Sequence, residues 1–296
     1  MTIDRSGELR ALLAFYVDAG IDAVLDEGPV NRFTAEPSQP RPSQMPAGGP
    51  PSPYPPSQAR EGRVRVPTRV AFNRPGDIAS NARSHPSPDR LDAPPSPDAA
   101  IMAARRAAAG ATSLDALRTM LERFEGCGLR LTAKQLVFAD GNPQARVMFV
   151  GEAPGREEDI AGLPFVGPSG LLLDRMMAVI GLDRTTAYIA NVIPWRPPGN
   201  RTPTPQESQI CLPFIRRQIE LADPDILVCL GGPSAAALLG MTEGIRRSRG
   251  RWRAYHTGRR EIRAIATFHP AYLLRTPLEK RFAWRDFQAI RAALAE

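Results

Sequence analysis

The chain has 296 residues, 31 of them proline, with a formal charge of +7 and an isoelectric point near 9.9. This length allows one or two domains, and the basic balance favours a polyanionic partner. The three cysteines form no CxxC pair and no even-numbered disulfide framework. We expect no secretory leader and no membrane span, which favours a soluble cytoplasmic protein.

Residues 1–33 contain apolar positions at helical spacing, which predicts a short amphipathic helix. These positions are Leu9, Leu12, Leu13, Tyr16, Val17, Ile21, Val24 and Leu25. A helix of this length is marginal alone, so we expect it to dock on the main domain or on another protein. Residues 34–110 are rich in Pro, Ser, Gly and Arg, which predicts a disordered linker. A partner-binding PxxP segment is the alternative interpretation.

Residues 111–296 alternate between helical and strand patterns and form the predicted catalytic domain. After a helix at 113–124 that Ser113 caps, apolar runs occur at 147–150, 187–193, 226–230 and 263–268. Helical patterns separate or follow them at 169–180, 205–221, 233–239 and 279–294. This order predicts an α/β fold of three layers, α/β/α, with a central four-stranded parallel sheet.

Each predicted strand ends in a distinctive segment, and ligands of such sheets bind beyond the carboxyl ends of the strands. The four segments are GEAPG, PWRPPGNRTPTP, GGPSA and HPAYLLR. The first combines a Gly-rich turn with the carboxylate of Glu152 and is followed by the isolated Phe165. One carboxylate and one aromatic ring at a strand end predict a site for a flat polar ring.

Four segments in this order resemble the motifs of family 4 uracil-DNA glycosylases. They are GEAPGREEDIAGLPFVGPSGLLLDRM, NVIPWRPPGNRTPTPQE, CLGGPSAAALLG and FHPAYLLR, and the resemblance runs from about Cys127 to the C-terminus. It implies a DNA glycosylase of base excision repair that flips uracil out of DNA, hydrolyses its N-glycosidic bond and leaves an abasic site. The implied enzyme is monofunctional, since no lysine lies at an obvious site position to form a Schiff base.

The resemblance implies roles for three residues at the base. Phe165 matches the phenylalanine that stacks on uracil, and an ordinary core Phe is the alternative. Asn191 matches the asparagine that reads the base edge, against an Asn that only caps a strand end. His269 matches the histidine beside uracil O2, which stabilises the departing anion. A structural or exposed histidine is the alternative there.

Residues of the first motif supply further expected contacts. Glu152 is expected to stabilise positive charge on the sugar or to orient water. The backbone N–H groups at Gly151 and Ala153 are expected to bind uracil carbonyls. Glu158 falls where the family has an acidic residue near uracil C5, a position that excludes the thymine methyl group. A solvated acidic turn is the alternative interpretation for Glu158.

Residues of the later motifs are candidates for holding opened DNA. Arg201, Ser234 and Arg275 are expected to contact phosphates. Leu273 and Leu274 lie where the family inserts a wedge into the duplex, and core packing is the alternative for each. The basic run at 246–263 is interpreted either as a DNA-facing surface or as a solvated loop.

The cysteine pattern departs from the family. Typical members bind a 4Fe–4S cluster through four cysteines. Only Cys127 and Cys211 match two of those four positions, whereas Phe124 and Trp195 occupy the other two. The sequence therefore predicts no cofactor and no metal, with Phe124 and Trp195 filling the vacated volume.

The expected partner is uracil-containing DNA, bound by a monomer in the cytoplasm of a bacterium in association with the nucleoid. A repair protein that binds the N-terminal helix or the Pro-rich linker is a further expected partner. Two other functions stay open: a protein that captures uracil-containing DNA with little turnover, and an inactive repair-interaction module. The basic, His-containing insertion of covalently capturing relatives is not visible in HPAYLLRTPLEKRFAW.

Overall fold

A computed structural model of the chain describes residues 96–296. The predicted N-terminal helix and the linker as far as residue 95 lie outside these residues. Ten α-helices among the described residues are α1 (Pro97–Gly110), α2 (Leu114–Arg123), α3 (Leu129–Thr132), α4 (Arg156–Ala161), α5 (Pro168–Val179), α6 (Pro205–Ala222), α7 (Gly232–Leu239), α8 (Ile245–Ser248), α9 (Pro270–Arg275) and α10 (Lys280–Leu294). Within residues 96–296, no helix is both long enough and apolar enough to cross a membrane.

Six strands of the described chain form one mixed sheet. They are β1 (Asp140–Gly141), β2 (Val147–Gly151), β3 (Ala187–Asn191), β4 (Ile226–Leu230), β5 (Trp252–His256) and β6 (Glu261–Thr267), in the spatial order β1-β3-β2-β4-β6-β5. The four inner strands are parallel, which confirms the predicted fold class. Antiparallel β1 and β5 at the two edges were not predicted, because β1 is very short and β5 lies within the basic run.

The sheet is buried on both faces, because helices cover each side. Alternate strand residues point to opposite faces, so Met148 and Val150 enter one apolar core while Val147 and Phe149 enter the other. The first core packs against α1, α2, α6 and α7, and the second against α5 and α10. This three-layer arrangement leaves the carboxyl ends of the four parallel strands at one edge of the molecule.

The segment preceding α2 corrects the predicted domain boundary. Residues 97–110, which were assigned to the linker, form α1 and pack against α6. Ser96 caps this helix by accepting from the N–H of Ala99 at 3.3 Å, and Ala100, Ala104 and Ala108 are buried. The Ala-rich stretch has high helix propensity, and the proline-rich composition upstream concealed it. Residues 97–110 therefore belong with the domain that follows them rather than with the linker.

Candidate active site

A pocket of about 490 Å³ lies at the carboxyl ends of the parallel strands. The ends of β2 and β3 form its centre, because Gly151 at the end of β2 is paired with Asn191 at the end of β3. His269 follows the end of β6, and Phe165 enters from the loop between α4 and α5. The structure thus brings together the three residues expected at the base, and Glu152 and Ala153 also line the pocket.

Gly151 allows two of the pocket walls to converge. A Cβ at this position would lie 2.4 Å from Asn191 Oδ1 and 2.6 Å from Phe165 Cζ, far inside van der Waals contact. Only a residue without a side chain lets the strand pass between the amide and the ring. Gly151 does not itself line the pocket, so its visible contribution is this close approach.

Phe165 adopts a backbone conformation that L-residues rarely occupy. Its φ is +56°, and its side chain is almost fully buried. A non-glycine residue with positive φ persists only where its surroundings hold it in place. The ring centroid lies 5.5 Å from that of His269, with an angle of 30° between the ring planes.

Glu158 holds the Phe165 loop from one side. Its Oε1 accepts from the N–H groups of Val166 at 3.1 Å and Gly167 at 3.0 Å, and its Oε2 accepts from Gly155 N–H at 2.9 Å. Because both oxygens are engaged with backbone, the predicted contact near uracil C5 does not fit this geometry. The buried carboxylate instead ties the turn after β2 to the loop of Phe165.

Arg184 holds the same loop from the other side. Its Nη2 donates to the carbonyl oxygen of Phe165, and its Nη1 donates to that of Pro164 at 3.2 Å. Ion pairs with Asp140 and Asp174 fix the guanidinium in turn. Sequence reasoning missed Arg184, since it lies in the turn before β3 with no motif around it. The only available signal was an arginine three residues before a buried strand.

Asn191 carries a buried carbonyl oxygen that lacks a hydrogen-bond partner. Among residues 96–296, Asn191 Oδ1 is the one buried side-chain oxygen or nitrogen without a hydrogen-bond partner. Leaving such a group unpaired costs about 1–3 kcal/mol, so native structures rarely keep one without a reason. An N–H donor on a ring bound in the pocket would satisfy this oxygen.

His269 presents a defined tautomer to the pocket. It caps α9, and its Nδ1 accepts from the N–H of Ala271 at 3.1 Å. Burial, together with the smaller effect of the positive charge of Arg275, lowers the pKa of His269 to about 4. The imidazole is therefore neutral at pH 7, and because Nδ1 is an acceptor, its proton lies on Nε2.

Glu152 is half-buried at the pocket wall. Burial raises the pKa of its carboxyl group above the ordinary value. The backbone around it is fixed, since the carbonyl oxygen of Glu152 accepts from Ile193 N–H at 3.0 Å and that of Gly151 accepts from Val192 N–H at 2.9 Å. A carboxylate on a rigid strand end is suited to electrostatic work beside a reacting centre.

Two of the expected DNA contacts are corrected by burial. Ser234 is fully buried, and its hydroxyl donates to the Val150 carbonyl oxygen at 2.7 Å, so it is not available to a phosphate. Leu273 is fully buried in the core beside α5 and α10, so it cannot act as a wedge. The sequence motif fixed the location of both residues but not the direction of their side chains.

The other expected DNA contacts lie at the surface. Leu274 is 42% exposed and Arg275 is exposed beside it. Leu278, which sequence reasoning missed, is 79% exposed in the next turn. Arg201 lines the pocket mouth, and its guanidinium donates to both oxygens of Glu207 at 2.9 and 2.7 Å. A DNA phosphate that binds Arg201 would therefore compete with Glu207 for the guanidinium group.

The comparisons with known proteins agree with this geometry. A family model described as "Uracil DNA glycosylase superfamily" matches residues 138–288, which include every strand end of the pocket. The chain therefore belongs to the uracil DNA glycosylase superfamily.

Similar relatives within it are named type-4 uracil-DNA glycosylases. The protein from Archaeoglobus fulgidus is 40% identical over 182 residues, 60% of this chain and 92% of the relative. That from Thermotoga maritima is 41% identical over 156 residues, 52% and 80% of the two chains. That from Saccharolobus solfataricus is 36% identical over 188 residues, 62% and 87% of the two chains.

These comparisons contradict the prediction of no cofactor. The relatives are of type 4, the class whose homologues bind a 4Fe–4S cluster, so the expectation of a chain without a cluster is corrected. That expectation rested on counting thiols alone, whereas the relationship extends over most of each relative.

The cysteines of this chain do not by themselves form a four-thiolate ligand set. Cys127 and Cys211 lie side by side, with their Sγ atoms 3.9 Å apart. Cys229 is buried within β4, where burial raises the pKa of its thiol to about 12. Within residues 96–296 no group of three or more His, Cys, Asp or Glu side chains could hold a metal ion. Cys127 and Cys211, which occupy two of the four family ligand positions, are the thiols that would contribute to a cluster.

Aromatic side chains occupy the other two positions at which typical family members carry cysteine. Phe124 packs edge-on against Phe214, with ring centroids 4.9 Å apart, and Trp195 is 2% exposed. Both belong to or pack against the core that also contains Cys127 and Cys211. This region is therefore a packed apolar core around two thiols.

Proposed function

We propose that this chain removes uracil from DNA by hydrolysing the N-glycosidic bond, leaving an abasic site for base excision repair. The observation that carries the proposal is the unpaired Asn191 Oδ1 in a pocket that also contains a rigidly held phenylalanine and a neutral histidine. Those three groups match the needs of a flat ring with an amide edge and a carbonyl that gains charge.

Asn191 and Phe165 select the base in this proposal. Asn191 Oδ1 accepts from uracil N3–H, and the amide nitrogen donates to uracil O4. Cytosine offers the reverse pattern, so it would leave the amide unpaired. Stacking on Phe165 contributes about 1–3 kcal/mol without distinguishing between bases. The amide of Asn191 therefore selects the base, and the ring of Phe165 contributes affinity for it.

His269 and Glu152 act on the two fragments as the bond breaks. The C1′–N1 electron pair leaves on uracil, and Nε2–H of His269 donates to O2, where negative charge develops. That hydrogen bond strengthens in the transition state, so it accelerates the reaction rather than only binding the base. Glu152 stabilises positive charge on the sugar or orients the water that adds to C1′. The chain has only two lysines, Lys134 and Lys280, and neither lines the pocket, which supports a monofunctional glycosylase.

The surface beside His269 opens the duplex in this proposal. Leu274 enters the stack as the wedge, while Arg275 and Arg201, which both line the pocket, contact phosphates. We further propose that the enzyme acts as a monomer in the bacterial cytoplasm, associated with the nucleoid. Repair partners are proposed to bind the N-terminal helix or the Pro-rich linker.

An excision assay tests the function directly. The protein is incubated with an oligonucleotide containing one uracil, alkali is added, and strand scission is measured. We expect scission with many turnovers per enzyme. A gel-stable protein–DNA adduct without turnover would instead support a capture protein, and neither product would support an inactive interaction module. Matched oligonucleotides containing cytosine or thymine at the same position are the controls. Scission at cytosine would contradict the role of Asn191, whereas thymine has the same N3–H and O4 as uracil and tests only the exclusion of its methyl group.

A further inference from the structure

The basic run at 246–263 lines no part of the active-site pocket, and it divides between the two ends of the parallel strands. Its last part lies where those strands begin. Arg263 is the register partner of Ile226, the first residue of β4. Arg260 forms an ion pair at 2.9 Å with Asp223, in the turn before β4. This part of the run is therefore remote from the pocket, which lies where the strands end.

The first part of the run lies beside the pocket instead. Arg246 of α8 donates from Nη2 to the hydroxyl oxygen of Tyr272 at 2.9 Å and to Glu279 Oε1 at 3.0 Å. Tyr272 lines the pocket, whereas Glu279 belongs to the short 3₁₀ turn Pro277–Glu279 that follows α9. One guanidinium group therefore joins α8, the pocket rim and this turn into a continuous surface.

The surface around this guanidinium combines exposed cations with an exposed leucine. Arg247 and Arg281 are exposed, and neither takes part in an ion pair within residues 96–296. Arg281 lies over the ring of Phe282, with its Cζ 4.7 Å from the ring centroid, which restricts the positions of its guanidinium group. Leu278, three residues before Arg281, is 79% exposed. We name Arg247, Leu278 and Arg281 the α8 surface.

The chemistry of the α8 surface suits double-stranded DNA. Guanidinium groups bind phosphates, and an apolar side chain beside them packs against sugars and base edges. Solvent alone does not favour a leucine exposed to this degree between charged neighbours, whereas a nucleic acid groove covers it. Its position next to the pocket rim places a duplex bound here beside a base that enters the pocket.

We propose that the α8 surface binds a duplex outside the uracil pocket, an inference that rests on the proposed function for the identity of the substrate. Arg247 and Arg281 contact phosphates, and Leu278 packs against the sugars and base edges. The later part of the basic run, which includes Arg259 in the turn between β5 and β6, faces away from the DNA. The run is thus a DNA-facing surface at one end and a solvated loop at the other.

Binding of a duplex without uracil tests this surface independently of any chemical step. Fluorescence anisotropy of the full-length protein with a short labelled duplex gives Kd at a series of salt concentrations. We expect Arg247→Gln and Arg281→Gln each to weaken binding severalfold. Each should also reduce the slope of log affinity against log salt by about 0.9, because one phosphate contact is lost. Leu278→Ala should weaken binding severalfold without a change in slope, since leucine carries no charge.

Two matched variants serve as controls. Arg259→Gln removes an exposed arginine of the same run at the opposite end of the strands, so it lowers the net charge equally. Leu131→Ala truncates a leucine that is 84% exposed in α3, outside the α8 surface. Both controls should keep the wild-type affinity and the wild-type salt slope.

Each outcome of the binding experiment is decisive. Losses in Arg247→Gln, Arg281→Gln and Leu278→Ala, with both controls at wild-type values, support the proposal. Any of these three variants that behaves like its control overturns it, and so does a wild type that binds no duplex. Excision of uracil by the wild type is measured in parallel. A protein that binds through the α8 surface but excises no uracil would refute the proposed function and leave this surface supported.

Discussion

The two walls of the active-site pocket are held in different ways. The Phe165 wall is a loop with a left-handed backbone, held by the charged side chains of Glu158 and Arg184. The His269 wall is held locally, because its imidazole caps the helix that follows it. One wall therefore depends on contacts across the fold, and the other depends on its own next two residues. Substitutions remote from the chemistry should disturb the first wall and spare the second.

Removing the Nε2–H donor of His269, in the wall that is held locally, should have the largest effect on the rate of excision. His269→Ala deletes the Nε2–H that stabilises the leaving anion, and loss of one such donor costs about 10²–10³-fold in kcat. Single-turnover excision of uracil measures it. Binding of uracil-containing DNA should change little, because the donor acts mainly in the transition state. Near-normal excision by both His269→Ala and Asn191→Ala would contradict the assigned roles.

Gly151→Ala should damage the junction between the walls. The new Cβ would meet Asn191 Oδ1 and Phe165 Cζ within 2.6 Å, so the amide or the ring must move. We expect at least about a tenfold loss of kcat/KM, since small displacements of positioning groups are costly. Gly128→Ala is the control, because a Cβ there meets nothing within 4 Å. Equal excision by the two variants would exclude a tight junction.

Arg184→Met tests the Phe165 wall, which depends on contacts across the fold. It removes charged hydrogen bonds to the Phe165 loop and should lower the free energy of unfolding by about 1–3 kcal/mol. KM should rise more than kcat falls, because the stacking ring is displaced while the donor of His269 stays in place. Arg184→Lys should restore only part of this, since lysine lacks the fork of guanidinium donors.

The control for this wall is Arg118→Met, which removes only an exposed pair with Glu122. It should alter the free energy of unfolding by no more than about 0.5 kcal/mol. Chemical denaturation gives the free energies, and steady-state excision gives the KM and kcat values. An unchanged KM in Arg184→Met would show that the loop holds Phe165 without the arginine.

The two adjacent leucines of α9 allow the role of a DNA wedge to be tested separately from core packing. Leu274→Ala should lower excision from double-stranded DNA severalfold and leave single-stranded substrate unaffected, because only a duplex needs opening. Leu273→Ala should instead lower the free energy of unfolding by about 2–5 kcal/mol, since that side chain is fully buried. A Leu274→Ala enzyme that loses activity equally on both substrates would not support a wedge.

The remaining prediction concerns the pH dependence of stability that His269 contributes. Its folded pKa of about 4 lies below the ordinary 6.5. The unfolded chain therefore takes up a proton as the pH falls below 6.5, whereas the folded chain does so only near pH 4. The stability contribution is complete above pH 6.5 and is lost as the pH falls toward 4, by at most about 1.4 kcal/mol per pH unit. Denaturation of wild type and His269→Gln across this range measures the difference, and parallel curves would contradict the lowered pKa.

The sequence predicts which residues lie at the strand ends, but it does not predict the direction in which neighbouring side chains point. Asn191 and His269 were predictable because parallel strands bring their carboxyl ends together, and Phe165 was predictable because it belongs to the motif that begins at the first strand end. Ser234 and Leu273 share those motifs, but their burial depends on which face of a short helix packs inward. Arg184 acts on a loop about twenty residues earlier in the chain, and no local pattern reveals such a contact. The Ala-rich α1 was concealed by its proline-rich neighbourhood.

Strand β5 has a consequence for the behaviour of the protein in concentrated solution. It closes one edge of the sheet, is only five residues long, and exposes Arg253 and His256. An uncovered sheet edge is a template for intermolecular β-pairing, and short, positively charged edge strands oppose it. Two copies approaching along β5 would bring like charges together before any backbone bond could form. The basic run thus also acts against aggregation.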